Sequence, residues 1–206
     1  MFLLFPILIF AQDKIVIYNP TNKIYYGAEV GTNDIISNSF TNGLHPQFGI
    51  MGEYFLTKNW SFLTKIKYYQ TSVSYKDPSN FETTNTFLTF KGNVVSVPVT
   101  INYSIRLNKN FKVFAAIGFA YNIETNNNYQ VPSITNPNFS NMKSNYFTQT
   151  STIGFTNAIS KTDILYISIE GNKGSNKGYD DQFLIGKDVK IQNVFLNLGI
   201  KHNFKK

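Results

Sequence analysis

The chain has 206 residues, which is enough for one large domain or one barrel. Hydrophobic residues make up 42% and charged residues only 15%, so the charged fraction is low for a soluble protein. The absence of cysteine excludes disulfide frameworks and thiolate metal sites, and the net charge of +7 comes without the basic stripe that a nucleic-acid partner requires.

Residues 1–12 are predicted to be a cleaved signal peptide. They form an apolar run that ends near the small residue Ala11 and gives way to polar residues at Asp13. No Lys or Arg precedes the run, which departs from the usual pattern of export signals. A buried first strand is the alternative, and Pro6 within the run argues against it.

Eight later segments are predicted to be β-strands. In each of them apolar side chains alternate with polar or small ones, as in a strand with two different environments. After the N-terminus, no apolar run approaches the ~18 residues of a membrane helix. The predicted strands are residues 24–32, 47–56, 60–75, 87–105, 111–123, 146–157, 164–171 and 194–204.

The connections alternate between short turns and long, Asn-rich segments, which is typical of an up-and-down meander with both termini at one end. We therefore predict an all-β, eight-stranded antiparallel barrel, since only helices and closed barrels satisfy every backbone group in lipid. The short turns are residues 57–59, 106–110 and 158–162, and the long segments are 35–44, 76–84, 126–143 and 172–188.

The apolar face of these strands is predicted to point outward, toward lipid. The opposite face has small or charged residues, and aromatic residues gather near the short turns, as in the aromatic belt of a membrane protein. A soluble lipid-carrying barrel, with its apolar face inward, is the alternative. The aromatic residues near the turns are Tyr54, Trp60, Phe62, Tyr103, Phe111 and Phe204.

Pro98 lies inside the most regular of the predicted strands. It has no N–H to donate, and a closed barrel has no free edge where the loss could be hidden. We therefore expect a β-bulge at Pro98.

The chain resembles the PorT-like, OmpA-type family of eight-stranded outer-membrane barrels of the Bacteroidota. The resemblance lies in V-S-V-P-V-T-I-N-Y at residues 95–103, G-E-Y-F-L-T-K-N-W at 52–60 and the closing strand at 194–204. It implies a transmembrane barrel domain over residues 13–206 and a location in the cell outer membrane. Some members of the family belong to protein-secretion machinery.

The closing strand ends on Phe204, followed by Lys205 and Lys206. A terminal aromatic residue resembles the assembly signal of outer-membrane barrels. This implies the barrel-assembly machinery as a partner, together with outer-membrane lipid and lipopolysaccharide.

Six charged residues share the face that is predicted to line the interior. An eight-stranded barrel is too narrow for an aqueous channel, and buried charges must pair, so we predict a structural ion-pair plug. A gated proton or ion path is the alternative. The six residues are Glu29, Glu53, Lys65, Lys67, Glu170 and Lys201.

No catalytic site, metal site or cofactor is predicted. The two histidines, His45 and His202, fall at opposite ends of the barrel and cannot share a site across an apolar band of ~25 Å. His45 with Ser37 or Ser39 leaves a lipid-modifying enzyme as an alternative, without the spacing of a known triad.

The predicted role is that of a non-pore-forming outer-membrane barrel with a structural or interaction function. Extracellular loops, above all the Asn-rich segment at residues 126–145, are the expected contact surface. The first alternative is an accessory subunit of a larger outer-membrane complex, such as a protein-secretion machine.

Overall fold

The computed structural model describes residues 19–35, 40–41, 44–76, 87–130, 145–174 and 192–204. In these ranges no helix is long and apolar enough to cross a membrane. The strands are β1 (Ile24–Ile35), β2 (Phe40–Thr41), β3 (His45–Phe55), β4 (Trp60–Lys76), β5 (Phe87–Arg106), β6 (Phe111–Gln130), β7 (Asn145–Ala158), β8 (Asp163–Gly174) and β9 (Gln192–His202).

Eight of these strands form a closed antiparallel barrel. The sheet runs in the order β4-β3-β1-β9-β8-β7-β6-β5, and pairing between β4 and β5 closes it. The two-residue strand β2 adds only a short pairing to the far end of β4. The predicted eight-stranded up-and-down β-barrel is therefore confirmed.

The two ends of the barrel differ in their connections. At one end, here called the turn end, short turns at residues 56–59, 107–110 and 159–162 join successive strands. Strands β1 and β9 also begin and end there, respectively. The opposite end, here called the loop end, is where the longer connections leave the strands.

Several strands extend further toward the loop end than the sequence predicted, and β6 does so by the largest number of residues. Residues 126–130 continue β6, and residues 172–174 continue β8, although both segments were predicted to be loop. The pairing of β5 with β6 passes a register shift at Asn93/Val94 and then continues to Thr89↔Gln130. Because this pairing uses backbone groups, a run of asparagines does not interrupt it.

The bulge expected at Pro98 is wrong. Pro98 pairs in regular register with Ala120 of β6. On the β4 side, the register is the same at Thr64↔Val99 and at Lys67↔Ser96, and the pairs between them are missing. The strand thus accommodates the lost N–H by leaving a short gap in one ladder, without inserting a residue.

The outer wall of the barrel is apolar, as predicted. Aliphatic side chains from all around the barrel are between 54% and 61% exposed, a fraction that a soluble protein rarely shows over a continuous surface. Examples from six strands are Val30, Ile50, Ile66, Val99, Ile117 and Leu198.

Aromatic side chains border this wall at both ends. At the turn end the rings of Trp60 and Tyr103 lie 4.8 Å apart, within the predicted belt. At the loop end, which the sequence analysis did not single out, Phe48 contacts Tyr68 at 5.1 Å between ring centroids. An apolar band with an aromatic girdle at each interface is typical of transmembrane barrels.

The interior is filled by side chains, and inward-facing glycines make room for them. A Cβ on Gly199 would lie 2.4 Å from the ring of Tyr166, and a Cβ on Gly154 would lie 2.7 Å from the ring of Phe114. The two large rings therefore pack over backbone that has no side chain, as expected for a barrel of only eight strands.

Candidate functional site

All six charged residues predicted to line the interior face inward in the structure. None of their side chains is more than 5% exposed. Buried charges of this kind are costly unless they are paired and hydrogen-bonded. Their arrangement is therefore the main feature of the barrel interior.

Four of the six residues form one ion-pair network. Lys65 Nζ lies 2.8 Å from Glu29 Oε2 and 3.2 Å from Glu170 Oε2. Lys67 Nζ lies 3.0 Å from Glu170 Oε1 and 3.7 Å from Glu29 Oε1. Each lysine thus contacts both carboxylates, and the quartet as a whole is electrically neutral.

The quartet joins strands that are not neighbours in the sheet. Lys65 and Lys67 are two residues apart on β4, so the pleat places both on the inner face. Glu29 comes from β1 and Glu170 from β8, and the contacts with β4 therefore cross the interior. The network is a transverse partition formed by three strands.

Two aromatic side chains complete this partition. The hydroxyl of Tyr166 donates a hydrogen bond to Glu29 Oε2. Lys67 Nζ lies 3.8 Å from the centroid of the Phe195 ring, a cation–π contact. Neither role was predicted from the sequence, where the only available signal was the inward parity of the two residues on their strands.

A second ion pair lies closer to the turn end. Lys201 Nζ is 2.5 Å from Glu53 Oε2. The other carboxylate oxygen of Glu53 accepts hydrogen bonds from Ser61 Oγ at 2.5 Å and from Asn102 Nδ2 at 3.1 Å. The Glu53 carboxylate is therefore satisfied on both oxygens without water.

Toward the loop end, the interior continues as a layer of amides and hydroxyls. Gln47 Nε2 donates to Asn197 Oδ1 at 2.6 Å, and Asn197 Nδ2 donates to Ser168 Oγ at 3.4 Å. Asn122 Nδ2 donates to Thr148 Oγ1 at 3.0 Å. Charged and polar layers thus succeed one another along the interior.

A small cavity lies between the Glu53–Lys201 pair and the turn end. Its polar lining includes Ser104 and Lys112, and Lys112 Nζ donates to the backbone oxygen of Lys58 at 2.7 Å. Lys112 faces inward like the six predicted residues, although it bonds to a carbonyl of the turn. It was not among the interior charges predicted from the sequence.

The two histidines lie at opposite ends of the barrel, as the sequence predicted. His45 begins β3 at the loop end, and His202 ends β9 at the turn end. His202 Nδ1 is 2.7 Å from Asp163 Oδ1. Ser37 and Ser39, the nucleophiles considered with His45, lie outside the described residues.

Phe204 follows the last strand at the turn end and is 74% exposed. Its ring contacts Tyr26 at 5.9 Å and His202 at 4.8 Å between centroids. It therefore extends the aromatic belt of the turn end. The predicted signal peptide at residues 1–12 lies outside the described residues.

The barrel is similar to solved membrane barrels. Neisserial surface protein A (NspA) is 14% identical, with a TM-score of 0.56 over 88% of this chain and 97% of that chain. The outer membrane protein OprG from Pseudomonas aeruginosa is 11% identical, with a TM-score of 0.56 over 93% of this chain and 100% of that chain. No protein-family model and no curated protein matches the chain.

These likenesses concern the fold. They agree with what the structure shows independently: a closed antiparallel barrel with an apolar outer wall, two aromatic girdles and a polar interior. Such a barrel satisfies every backbone group within lipid, and its surface is that of an outer-membrane protein. The predicted location in an outer membrane is therefore confirmed.

Proposed function

We propose that the protein is a closed, non-conducting barrel of the outer membrane that acts through its two ends. The observation that supports this proposal is the Lys65–Glu29–Lys67–Glu170 quartet across the interior. In this view the six predicted charges form a structural plug. An ion entering the barrel would have to break several short, buried charge pairs.

The packing on both sides of the quartet supports the same role. The Glu53–Lys201 pair lies on the turn side, and the amide layer with Gln47 and Asn197 lies on the loop side. Leaving a buried charge without its partner costs about 3–5 kcal/mol. A narrow barrel with such layers is a poor path for ions and solutes.

The proposal predicts no conductance. The folded protein, reconstituted into planar lipid bilayers, is expected to give no stepwise current above that of the protein-free bilayer. Folding and insertion are checked beforehand by heat-dependent gel mobility and by flotation with vesicles. A known porin inserted into the same bilayers shows that the assay detects an open barrel. Reproducible, protein-dependent current steps from the folded barrel would contradict the plug.

The ends of the barrel are then the surfaces available for interaction. We propose that the Asn-rich connection at residues 131–144, outside the described residues, contributes to a contact surface at the loop end.

Lipopolysaccharide and membrane lipid are the proposed partners of the outer wall. The barrel-assembly machinery is the proposed reader of Phe204, and residues 1–12 are the proposed export signal.

An accessory subunit of a larger outer-membrane complex, such as a protein-secretion machine, is a second candidate. It derives from the PorT-like resemblance of residues 95–103. In the structure, Val99, Ile101 and Tyr103 of this segment point outward and form an apolar stripe on β5. A neighbouring membrane subunit would contact the barrel on such a stripe.

Isolation from the membrane in mild detergent distinguishes the two candidates. For the free-standing barrel we expect affinity purification to yield a heat-modifiable monomer without a stoichiometric companion. Replacing Ile101 and Tyr103 with serine provides the matched comparison. A large companion that is lost in this variant would support the accessory subunit and contradict the free-standing barrel.

A catalytic role has less support. Within the described strands, the buried hydroxyl of Ser61 donates to a carboxylate, and His202 bonds to Asp163. These two groups therefore belong to separate structural contacts. We propose that the protein is not an enzyme.

A further inference from the structure

The three turns of the turn end have the same internal structure. In the first turn, the backbone N–H groups of Leu56 and Thr57 donate to the carbonyl of Trp60 at 3.0 and 3.2 Å. The hydroxyl of Thr57 then accepts the backbone N–H groups of Asn59 and Trp60 at 3.1 and 3.0 Å. A side chain at the second position thus caps the turn.

The other two turns repeat this arrangement. Asn108 Oδ1 accepts the N–H groups of residues 110–111 at 2.9 and 2.8 Å. Ser160 Oγ accepts those of residues 162–163 at 3.0 and 2.9 Å. The turns read L-T-K-N, L-N-K-N and I-S-K-T, so each has an aliphatic residue, a capping residue, a lysine and an amide or hydroxyl.

The shared pattern places one exposed lysine at each turn: Lys58, Lys109 and Lys161. Their side chains are free to reach outward, because the capping residues and the backbone make the hydrogen bonds that hold the turns. The turns join β3 to β4, β5 to β6 and β7 to β8, and therefore distribute the lysines around the rim. Charges far apart in the sequence become a ring at one end.

Other charges at this end have the same sign. Lys23 precedes β1, and Arg106 ends β5 and is exposed. Among the described side chains outside the interior, the acid at the turn end is Asp163, which bonds to His202, Ser160 and Thr162. The turn end therefore has an excess of positive charge in the part of the chain that the structure describes.

The aromatic belt fixes the depth of this ring in the membrane. Trp60 is two residues from Lys58, so their Cα atoms are at most roughly 7 Å apart. Belt residues lie at the level of the lipid headgroups. The lysines are therefore at, or just beyond, the phosphates of the adjacent leaflet, where basic residues are attracted to an anionic lipid surface.

From this geometry we propose that the turn end is a basic ring that binds anionic phospholipid headgroups in the leaflet around it. The recognised chemistry is the lipid phosphate together with the net negative charge of the headgroup. This proposal goes beyond the closed-barrel role and does not depend on whether the interior conducts. It requires only that the barrel spans the bilayer.

Trp60 provides a reporter for the test. It is the only tryptophan of the chain, it is 46% exposed on the outer wall, and it lies beside the first turn. The protein is folded into vesicles of equal parts phosphatidylcholine and phosphatidylglycerol, with one of the two lipids brominated in its acyl chains at a time. Quenching of Trp60 then measures which lipid is enriched next to the turn end.

The wild-type protein is expected to favour brominated phosphatidylglycerol by about fivefold in relative association, which corresponds to about 1 kcal/mol. In the K58Q/K109Q/K161Q variant the ratio should fall toward one. The matched K58R/K109R/K161R variant should retain the preference. Added salt should reduce it in the wild type, because these charges are exposed.

Equal quenching by the two lipids in the wild type would overturn the proposal, as would an unchanged preference in the glutamine variant. Inorganic phosphate serves as a competitor. If millimolar phosphate removes the preference at constant ionic strength, the ring is a site for free phosphate and the lipid assignment is wrong. Because the wild-type salt series needs no variant, the test remains decisive if a substituted barrel folds poorly.

Discussion

Replacing Lys67 with methionine is expected to lower the free energy of unfolding by about 3–5 kcal/mol, the range for removing one partner of a buried ion pair. Lys67 is fully buried and contacts both Glu170 and Glu29. Methionine fills a similar volume but leaves two carboxylates facing Lys65 alone. Urea unfolding in phospholipid vesicles, followed by the fluorescence of Trp60, measures the change.

Two further variants separate the charge effect from packing. The same substitution at Lys173, which is exposed near the loop end of β8, should change stability by less than about 0.5 kcal/mol. The double variant Lys67→Met with Glu170→Gln again has equal numbers of positive and negative charges in the quartet. It should recover a large part of the lost stability. If the double variant were less stable than Lys67→Met alone, the ion-pair account would be wrong.

Replacing Gly118 with alanine is expected to destabilise the barrel by about 1–3 kcal/mol, as for overpacking at a rigid site. A Cβ at this position would lie 1.9 Å from the carbonyl oxygen of Val99 and 2.8 Å from Thr100 Cα. Both are backbone atoms of β5, so relief requires the β5–β6 ladder to shift. The cost comes from space, because Gly118 does not have a left-handed backbone.

Gly52 provides the matched control. No atom lies within 4 Å of a Cβ built on Gly52, and its side of β3 faces outward. Alanine there should be neutral or slightly stabilising, because it restricts the unfolded chain more than glycine does. The midpoint of urea unfolding for the two variants checks the contrast. Equal destabilisation by both substitutions would show that glycine content, rather than the inward contact, matters.

The alternation of side chains predicted the fold well, for a physical reason. A strand with lipid on one side and a polar interior on the other must alternate, and Val99 and Thr100 show this as clearly in the structure as in the sequence. The boundaries between strands and loops were harder to predict from the sequence. Residues 126–130 are asparagine-rich, yet they pair with β5 through backbone groups, which composition does not reveal.

The interior shows what parity alone leaves undetermined. Parity placed Glu53 and Lys201 on the inner face, but the stagger of the strands decides that these two meet. Lys112 has the same parity, and its Nζ donates to a carbonyl of the turn, which parity does not indicate. Gly118 faces the interior, where a Cβ would meet backbone atoms, and Gly52 faces outward, where it would not. The alternation of the neighbouring residues indicates these two faces.

The Glu53–Lys201 pair has a consequence for how the barrel assembles. Its two members are 148 positions apart in the chain, and they lie on β3 and β9, the strands that flank β1 on either side. The carboxylate of Glu53 thus receives its counter-charge only when the last strand of the chain docks against the first. Until then, moving β3 into the hydrocarbon core would place an unpaired carboxylate away from water. Strand β9 therefore supplies the cation that pairs with Glu53 of β3, and we expect the entry of β3 into the hydrocarbon core to be coupled to closure of the barrel.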